Sequence, residues 1–302
     1  MAATLKACGP AILARGEMMT EVVSVLSSLI TRSHPCQQDL GDEDEDQEVE
    51  GTSEYDWLVI DTALDVVIGL AVALGPDFAE LWKIFERPIV KFAGSETENI
   101  ERSTGVGVIA ECAANMEAAV SPYTKKLLTL LLKRLSDPDQ ETRSNAAYAT
   151  GQLILNSTDS NTYLPHYETI LQKLEPMLQI DEARLKDNAA GCLCRMIMAH
   201  PDRVPLSQVL PALVDLLPLK EDFEENSAVY ECISKLYESG EPTIQQLTPK
   251  LVPVLESVLS PPADQLDDES REIVRRTVAF LYNANAGLFA NHPDVLKLAG
   301  LA

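Results

Sequence analysis

The sequence predicts an all-α fold: a solenoid of about six helical hairpins, wound as a right-handed superhelix and spanning residues 1–302 as a single array. Three observations predict it. Prolines recur at a near-constant interval, apolar residues repeat with the 3.6-residue period of a helix, and the composition is rich in leucine, valine and alanine but only 5% aromatic. That composition suits helix-on-helix packing better than a sandwich or barrel.

The interval is the strongest of the three. Pro76, Pro122, Pro165, Pro211 and Pro253 are separated by 46, 43, 46 and 42 residues. Five and six positions after each stands an apolar pair: Leu81/Trp82, Leu127/Leu128, Ile170/Leu171, Leu216/Leu217 and Val258/Leu259. Proline is tolerated in a first helical turn, where its missing N–H has no intrahelical partner. The pair then sets which face enters the core. A period of this length with two helices per unit is that of HEAT and armadillo repeats.

First helices are expected near 17–32, 77–93, 122–135, 163–179, 206–217 and 245–259. Met19, Val22, Leu26, Leu29 and Ile30 form one apolar stripe. Leu164, Tyr167, Ile170, Leu171, Leu174 and Leu178 form a second, and Leu206, Val209, Leu210, Leu213 and Leu217 a third. Second helices are expected near 54–74, 98–115, 140–155, 182–199, 222–238 and 268–288. They share a different signature: Arg143-Ser-Asn145-Ala-Ala recurs as Lys186-Asp-Asn188-Ala-Ala, with Glu224-Glu-Asn226-Ser-Ala and Arg102-Ser-Thr-Gly-Val as looser copies. Gly105, Ala146, Ala147, Ala189 and Ala190 are small enough for helix backbones to approach closely. In the turn Ser136-Asp-Pro-Asp139, Asp137 is expected as N-cap and Pro138 at the first helical position.

One segment departs from the pattern. Residues 33–53 carry Asp39, Asp42, Glu43, Asp44, Glu45, Asp46, Glu48 and Glu50, and no lysine or arginine occurs from Ser33 through Trp82. Such a stretch has little apolar area to bury and is expected to be a flexible acidic loop within the first hairpin.

The charge bounds the function. There are 47 acidic and 24 basic residues, a formal net charge of −23. Such a field repels nucleic acid and anionic membrane and steers cationic partners. No apolar run long enough to cross a membrane and no leader peptide are read from the sequence. The six cysteines sit singly in apolar helical patterns, as expected of buried thiols in a reducing compartment.

Catalytic and metal motifs lack their context. Gly105-Val-Gly107-Val-Ile-Ala110 has the form of a dinucleotide fingerprint, but a polar helical stretch precedes it where a strand is needed. Cys192 and Cys194 stand two apart on a helix and so face differently, with no second pair at zinc spacing. No enzyme activity, metal or cofactor is expected.

The stretches LSDPDQETRSNAAYATGQLI (135–154) and RLKDNAAGCLCRMI (184–197), with the acidic insertion, resemble HEAT repeats of the importin-β (karyopherin-β) superfamily, closest to the importin-four type. The likeness covers essentially the whole chain. It implies the C-terminal part of a longer nuclear import receptor, monomeric and shuttling between cytoplasm and nucleus. It also implies that second helices line a concave surface holding basic cargo such as histone tails and ribosomal proteins. Ran GTPase and nucleoporins are implied partners of the full-length receptor, with Ran held chiefly by N-terminal repeats.

With second helices inward, Glu98 and Glu101, then Asn145 and Tyr148, then Asp187 and Asn188, then Glu224 and Glu225 fall in a row. Carboxylates accept hydrogen bonds from lysine and arginine, asparagine holds an extended backbone, and tyrosine packs on an aliphatic stem. Asn188, Glu224 and Glu225 are expected to form a lysine pocket. Other readings stay open at this point. Asn145 and Asn188 fit bridges between repeats, Glu224 and Glu225 fit charges at a helix N-terminus, and the acidic loop fits a solvated linker. A HEAT scaffold for an enzyme assembly and an acidic histone chaperone are the competing functions.

Overall fold

The computed structural model describes residues 1–9, 11, 16–37, 54–261 and 265–301. All regular structure among them is helical, and they form two compact units, 1–162 and 163–302. The acidic residues Asp42, Glu43, Asp44, Glu45 and Asp46 lie outside the described residues.

In the first unit, α1 (Ala2–Cys8) and α2 (Gly16–Ile30) pack on α3 (Glu54–Leu74). The hairpins α4 (Ala79–Phe92)/α5 (Asn99–Met116) and α6 (Thr124–Arg134)/α7 (Gln140–Asn156) follow, and α3, α5 and α7 stack side by side. The single turn α8 (Ser160–Tyr163) leads to the second unit. There, α9 (Tyr167–Gln179) packs on α10 (Ala183–Ala199). After α11 (Leu206–Leu216) come α12 (Asn226–Glu238), α13 (Pro242–Leu259), α14 (Asp268–Ala284) and the short α15 (Pro293–Leu298). Here α10, α12 and α14 form the stacked row. The short α1 and α15 carry no repeat signature and were not expected from the sequence.

Small residues set the stacking distance. A Cβ on Gly105 would come within 2.7 Å of the Ala93 amide nitrogen and 3.0 Å of Phe92 Cβ, so α4 meets α5 only because that position has no side chain. Most of the repeated apolar pairs enter the core: Trp82, Leu127, Leu128, Ile170, Val258 and Leu259 are buried, while Leu81 and Leu171 are half-buried. Leu216 and Leu217 are only half-buried, and Leu210, Leu213 and Val214 fill that core instead. In α2, Val23 and not Val22 completes the buried stripe.

Several expectations are corrected. Pro76, Pro122 and Pro165 lie in 3₁₀ turns that lead into α4, α6 and α9, whereas Pro211 and Pro253 lie inside α11 and α13, which begin further upstream. The N-cap of α7 is Asp139, which accepts the Thr142 N–H at 2.8 Å; Asp137 is buried between arginines. Cys112, Cys192, Cys194 and Cys232 are buried thiols, but Cys8 and Cys36 are exposed. The stretch Asp56–Phe92 is long and apolar enough to cross a bilayer by length and composition. Its apolar residues, Ile60, Leu64, Val67, Leu70, Trp82 and Phe85, are spent in the core of the first unit.

Candidate protein-binding surface

The residues nominated from the sequence divide by their partners. In the first unit Glu98 is the exposed N-cap residue of α5, and its carbonyl accepts the Arg102 N–H at 2.9 Å. Glu101, one turn further, is buried and pairs with Arg32 at 2.6 Å. Asn145 Nδ2 donates to the Ser103 carbonyl at 2.9 Å, tying α7 to α5. Tyr148 lies one turn beyond it, half-buried. A Cβ on Gly107 would meet only the Asn145 amide, at 3.5 Å, so the backbone of α5 is open beside this pair. The glycines of the fingerprint-like motif thus lie within a helix, with no strand before them.

Next to them the turn between α6 and α7 is clasped from within. Asp137 accepts from Arg102 at 3.0 Å and from Arg134 at 2.8 Å, all three being buried. The chain there is fixed by charge pairing satisfied on both sides of one carboxylate.

The second unit has an equivalent clasp with different chemistry. One oxygen of the buried Asp187 accepts three successive backbone N–H groups, from Lys220, Glu221 and Asp222, at 3.0, 2.8 and 3.0 Å. That explains why α12 starts at Asn226 and not at the expected 222: these amides point at α10 and not along a helix. Asn188 Nδ2 donates to the Asp222 carboxylate at 2.8 Å, and Asn226 Nδ2 to the Gln265 carbonyl at 2.7 Å. The repeated asparagine therefore ties one repeat to its neighbour at positions 145, 188 and 226.

Glu225 is 1% exposed and accepts from Arg195 at 2.6 and 3.1 Å in a two-point pair. Its carboxylate occupies the space where a Cβ on Gly191 would stand. Burial pushes the Glu225 carboxyl up, while Arg195 pulls it down. Glu224, its neighbour, is exposed. The structure does not bring Asn188, Glu224 and Glu225 together around an open pocket: two of the three are engaged with Asp222 and Arg195.

Two residues that the sequence reading passed over stand out. Asp61 and Asp65 lie one turn apart on α3, Asp65 exposed and Asp61 half-buried, in a helix otherwise dominated by apolar residues. Partial burial, then the like charge of Asp65, raises the Asp61 carboxyl above its ordinary value. The apolar Leu58 and Val72 flank them on the same exposed side, at 60% and 38% exposure. The signal was present: two aspartates at i and i+4 opposite a continuous buried stripe repel each other unless a cation joins them.

The stacked hairpins of each unit define a helical-repeat module. Known structures agree on the fold. The chain superposes on karyopherin Kap121p bound to the extreme C-terminus of the protein phosphatase Cdc14p with TM-score 0.59 and 18% identity, covering 91% of this chain and 24% of that one. It superposes on a designed armadillo repeat protein with TM-score 0.50 and 16% identity, covering 85% and 99%.

By sequence, the chain is 40% identical to a probable importin subunit beta-4 of Schizosaccharomyces pombe over 83% of its length and 23% of the relative's. It is 32% identical to human importin-4 over 85% of its length and 24% of that protein. Residues 79–263 also match the family model described as TORTIFOLIA1 N-terminal. The chain belongs to the importin-β (karyopherin-β) superfamily of nuclear transport receptors, importin-4 type, and through residues 79–263 to the TORTIFOLIA1 N-terminal family as well. Its importin relatives are transport receptors and not enzymes, and it spans about a quarter of their length.

Proposed function

We propose that the chain is a cargo-binding part of a nuclear import receptor that recognises basic, lysine-rich protein segments, of the kind found in histone tails and ribosomal proteins. The observation that carries this reading is the aspartate pair Asp61/Asp65, without an ion-pair partner among the described residues, on the exposed side of α3 beside apolar Leu58 and Val72. A lysine fits such a site twice over, its ammonium between the carboxylates and its stem on the apolar flank. The net charge of −23 draws such a segment in.

Of the residues nominated from the sequence, Glu98, Tyr148 and Glu224 have the exposure to touch cargo directly. Glu101, Asn145, Asp187, Asn188 and Glu225 support them by fixing helix ends and turns. In the full-length receptor, Ran GTPase and nucleoporins would be further partners, and the receptor would shuttle between cytoplasm and nucleus. The acidic stretch 42–46 would speed encounter with cargo.

The test is a titration with a lysine-rich histone-tail peptide. Asp61→Asn/Asp65→Asn should weaken binding by about tenfold or more, since each charge-assisted hydrogen bond contributes about 1.5–3 kcal/mol. Equal affinity of parent and double variant would refute the α3 site. A scaffold function is less well supported, because the exposed large apolar residues among the described ones, such as Leu58, Ile100, Leu155 and Phe280, are spread over several helices of both units.

A further inference from the structure

In a chain with 47 acidic and 24 basic residues, one surface notch has the opposite sign. It lies in the second unit between α14 and α15, a cavity of about 420 Å³ lined by three cations, Arg275, Arg276 and Lys297, one carboxylate, Glu272, and the apolar Ala279, Leu298 and Leu301. Arg275 and Arg276 are exposed, and neither lies within ion-pair distance of a carboxylate among the described residues, even though Glu272 is one turn away. Lys297 has a partner, Asp294, at 3.1 Å, but both are largely exposed and the pair is easily exchanged.

The wall opposite the arginines is built with some care. Val295 is fully buried and fixes α15. After α15, Gly300 takes a left-handed φ of 75°, and the Leu301 N–H closes onto the Leu296 carbonyl at 2.8 Å. That turn brings Ala299, Gly300 and Leu301 into the lining of the same notch.

Two free guanidiniums on successive positions of one helix are made for carboxylates, which they grip at two points each. The apolar residues beside them take an aliphatic side chain. The size admits a few side chains of an extended segment and not a folded domain. A long polyanion is disfavoured, because the net charge of −23 acts on its whole length while the notch acts on a small part. We propose that the notch between α14 and α15 binds a short acidic, leucine-containing segment of a partner protein through Arg275 and Arg276. This site is independent of the cargo reading, since it selects the opposite charge.

The experiment is fluorescence anisotropy of the 302-residue chain with a labelled short peptide of alternating glutamate and leucine at low salt. Saturable binding is expected, weakened about tenfold or more by Arg275→Glu/Arg276→Glu and partly kept by Arg275→Lys/Arg276→Lys, which retains charge but not the two-point grip. Arg87→Glu, an exposed arginine on α4, should leave it unchanged. If the charge-reversed variant loses helical circular dichroism, the lysine pair decides alone: affinity equal to the parent overturns the proposal. Absence of saturable binding, equal binding of a control peptide in which glutamine replaces every glutamate, or displacement by inorganic phosphate at matched concentration would also overturn it. So would preference for a thymidine oligonucleotide, which would make the notch a nucleic-acid contact.

Discussion

Replacing Glu225 by alanine takes a carboxylate away from the buried charge pair that joins α10 to the start of α12. Glu225 is 1% exposed and Arg195 5%, and the two meet through two hydrogen bonds of 2.6 and 3.1 Å. Removing one partner of such a pair leaves the other's charge in a low-dielectric interior without its balancing group, a loss of about 3–5 kcal/mol. At about 2–4 °C per kcal/mol for a unit of this size, the melting temperature should fall by about 6–20 °C. Glu224→Ala, one residue away but exposed, should stay within about 0.5 kcal/mol of the parent.

Thermal melts of the 302-residue chain followed by circular dichroism read this directly. Two further variants separate charge from packing. Arg195→Met/Glu225→Leu removes both charges together and should recover most of the loss, because the desolvation cost goes with them. Gly191→Ala should mimic Glu225→Ala, since its methyl would displace the carboxylate. If Glu225→Ala and Glu224→Ala melt within about 1 °C of each other, the assignment of Glu225 to the clasp is wrong.

Asp137→Ala should cost about 3–5 kcal/mol by stranding Arg102 and Arg134, against about 0.5–2 kcal/mol for Asp139→Ala at the α7 N-cap; urea melts giving the reverse order would contradict the corrected cap. Gly105→Ala should destabilise by about 1–3 kcal/mol, because the Ala93 backbone cannot yield, while Gly107→Ala should be neutral or gain up to about 1 kcal/mol from helix propensity. The Asp267 carboxyl is held below its ordinary 3.8, first by the Ser270 backbone N–H at the α14 N-cap. Its folded value lies under its unfolded one, so its stabilisation is complete above about pH 4 and is lost as pH falls through the folded value. Asp267→Asn should flatten that part of the acid-unfolding curve, and an unchanged curve would count against the cap.

The fold was largely legible because repetition multiplies a weak signal. One proline followed by an apolar pair says little, but five at near-constant spacing fix the hairpins, and twelve expected helices appear within a few residues of their predicted ends. The site was legible only in part. Sequence spacing put Asp187, Asn188 and Glu225 on one side of the second helices, but it could not show that Asp187 is held by three amides 33 to 35 residues away or that Glu225 is held by Arg195. Those partners come from neighbouring repeats, and helix period carries no information about which charges meet across them. Asp61 and Asp65 were missed for the opposite reason: the long apolar run around them read as core, and the two charges within it were passed over.

The central claim is that exposed carboxylates on the second helices hold basic cargo. The affinity of a lysine-rich histone-tail peptide, measured at about 50 mM and about 300 mM salt for the parent and for Asp61→Asn/Asp65→Asn, tests it most directly. The parent should lose about tenfold or more in affinity across that range, and the variant should start weaker and fall less. An affinity that is the same at both salt concentrations, or the same in both proteins, would contradict the claim.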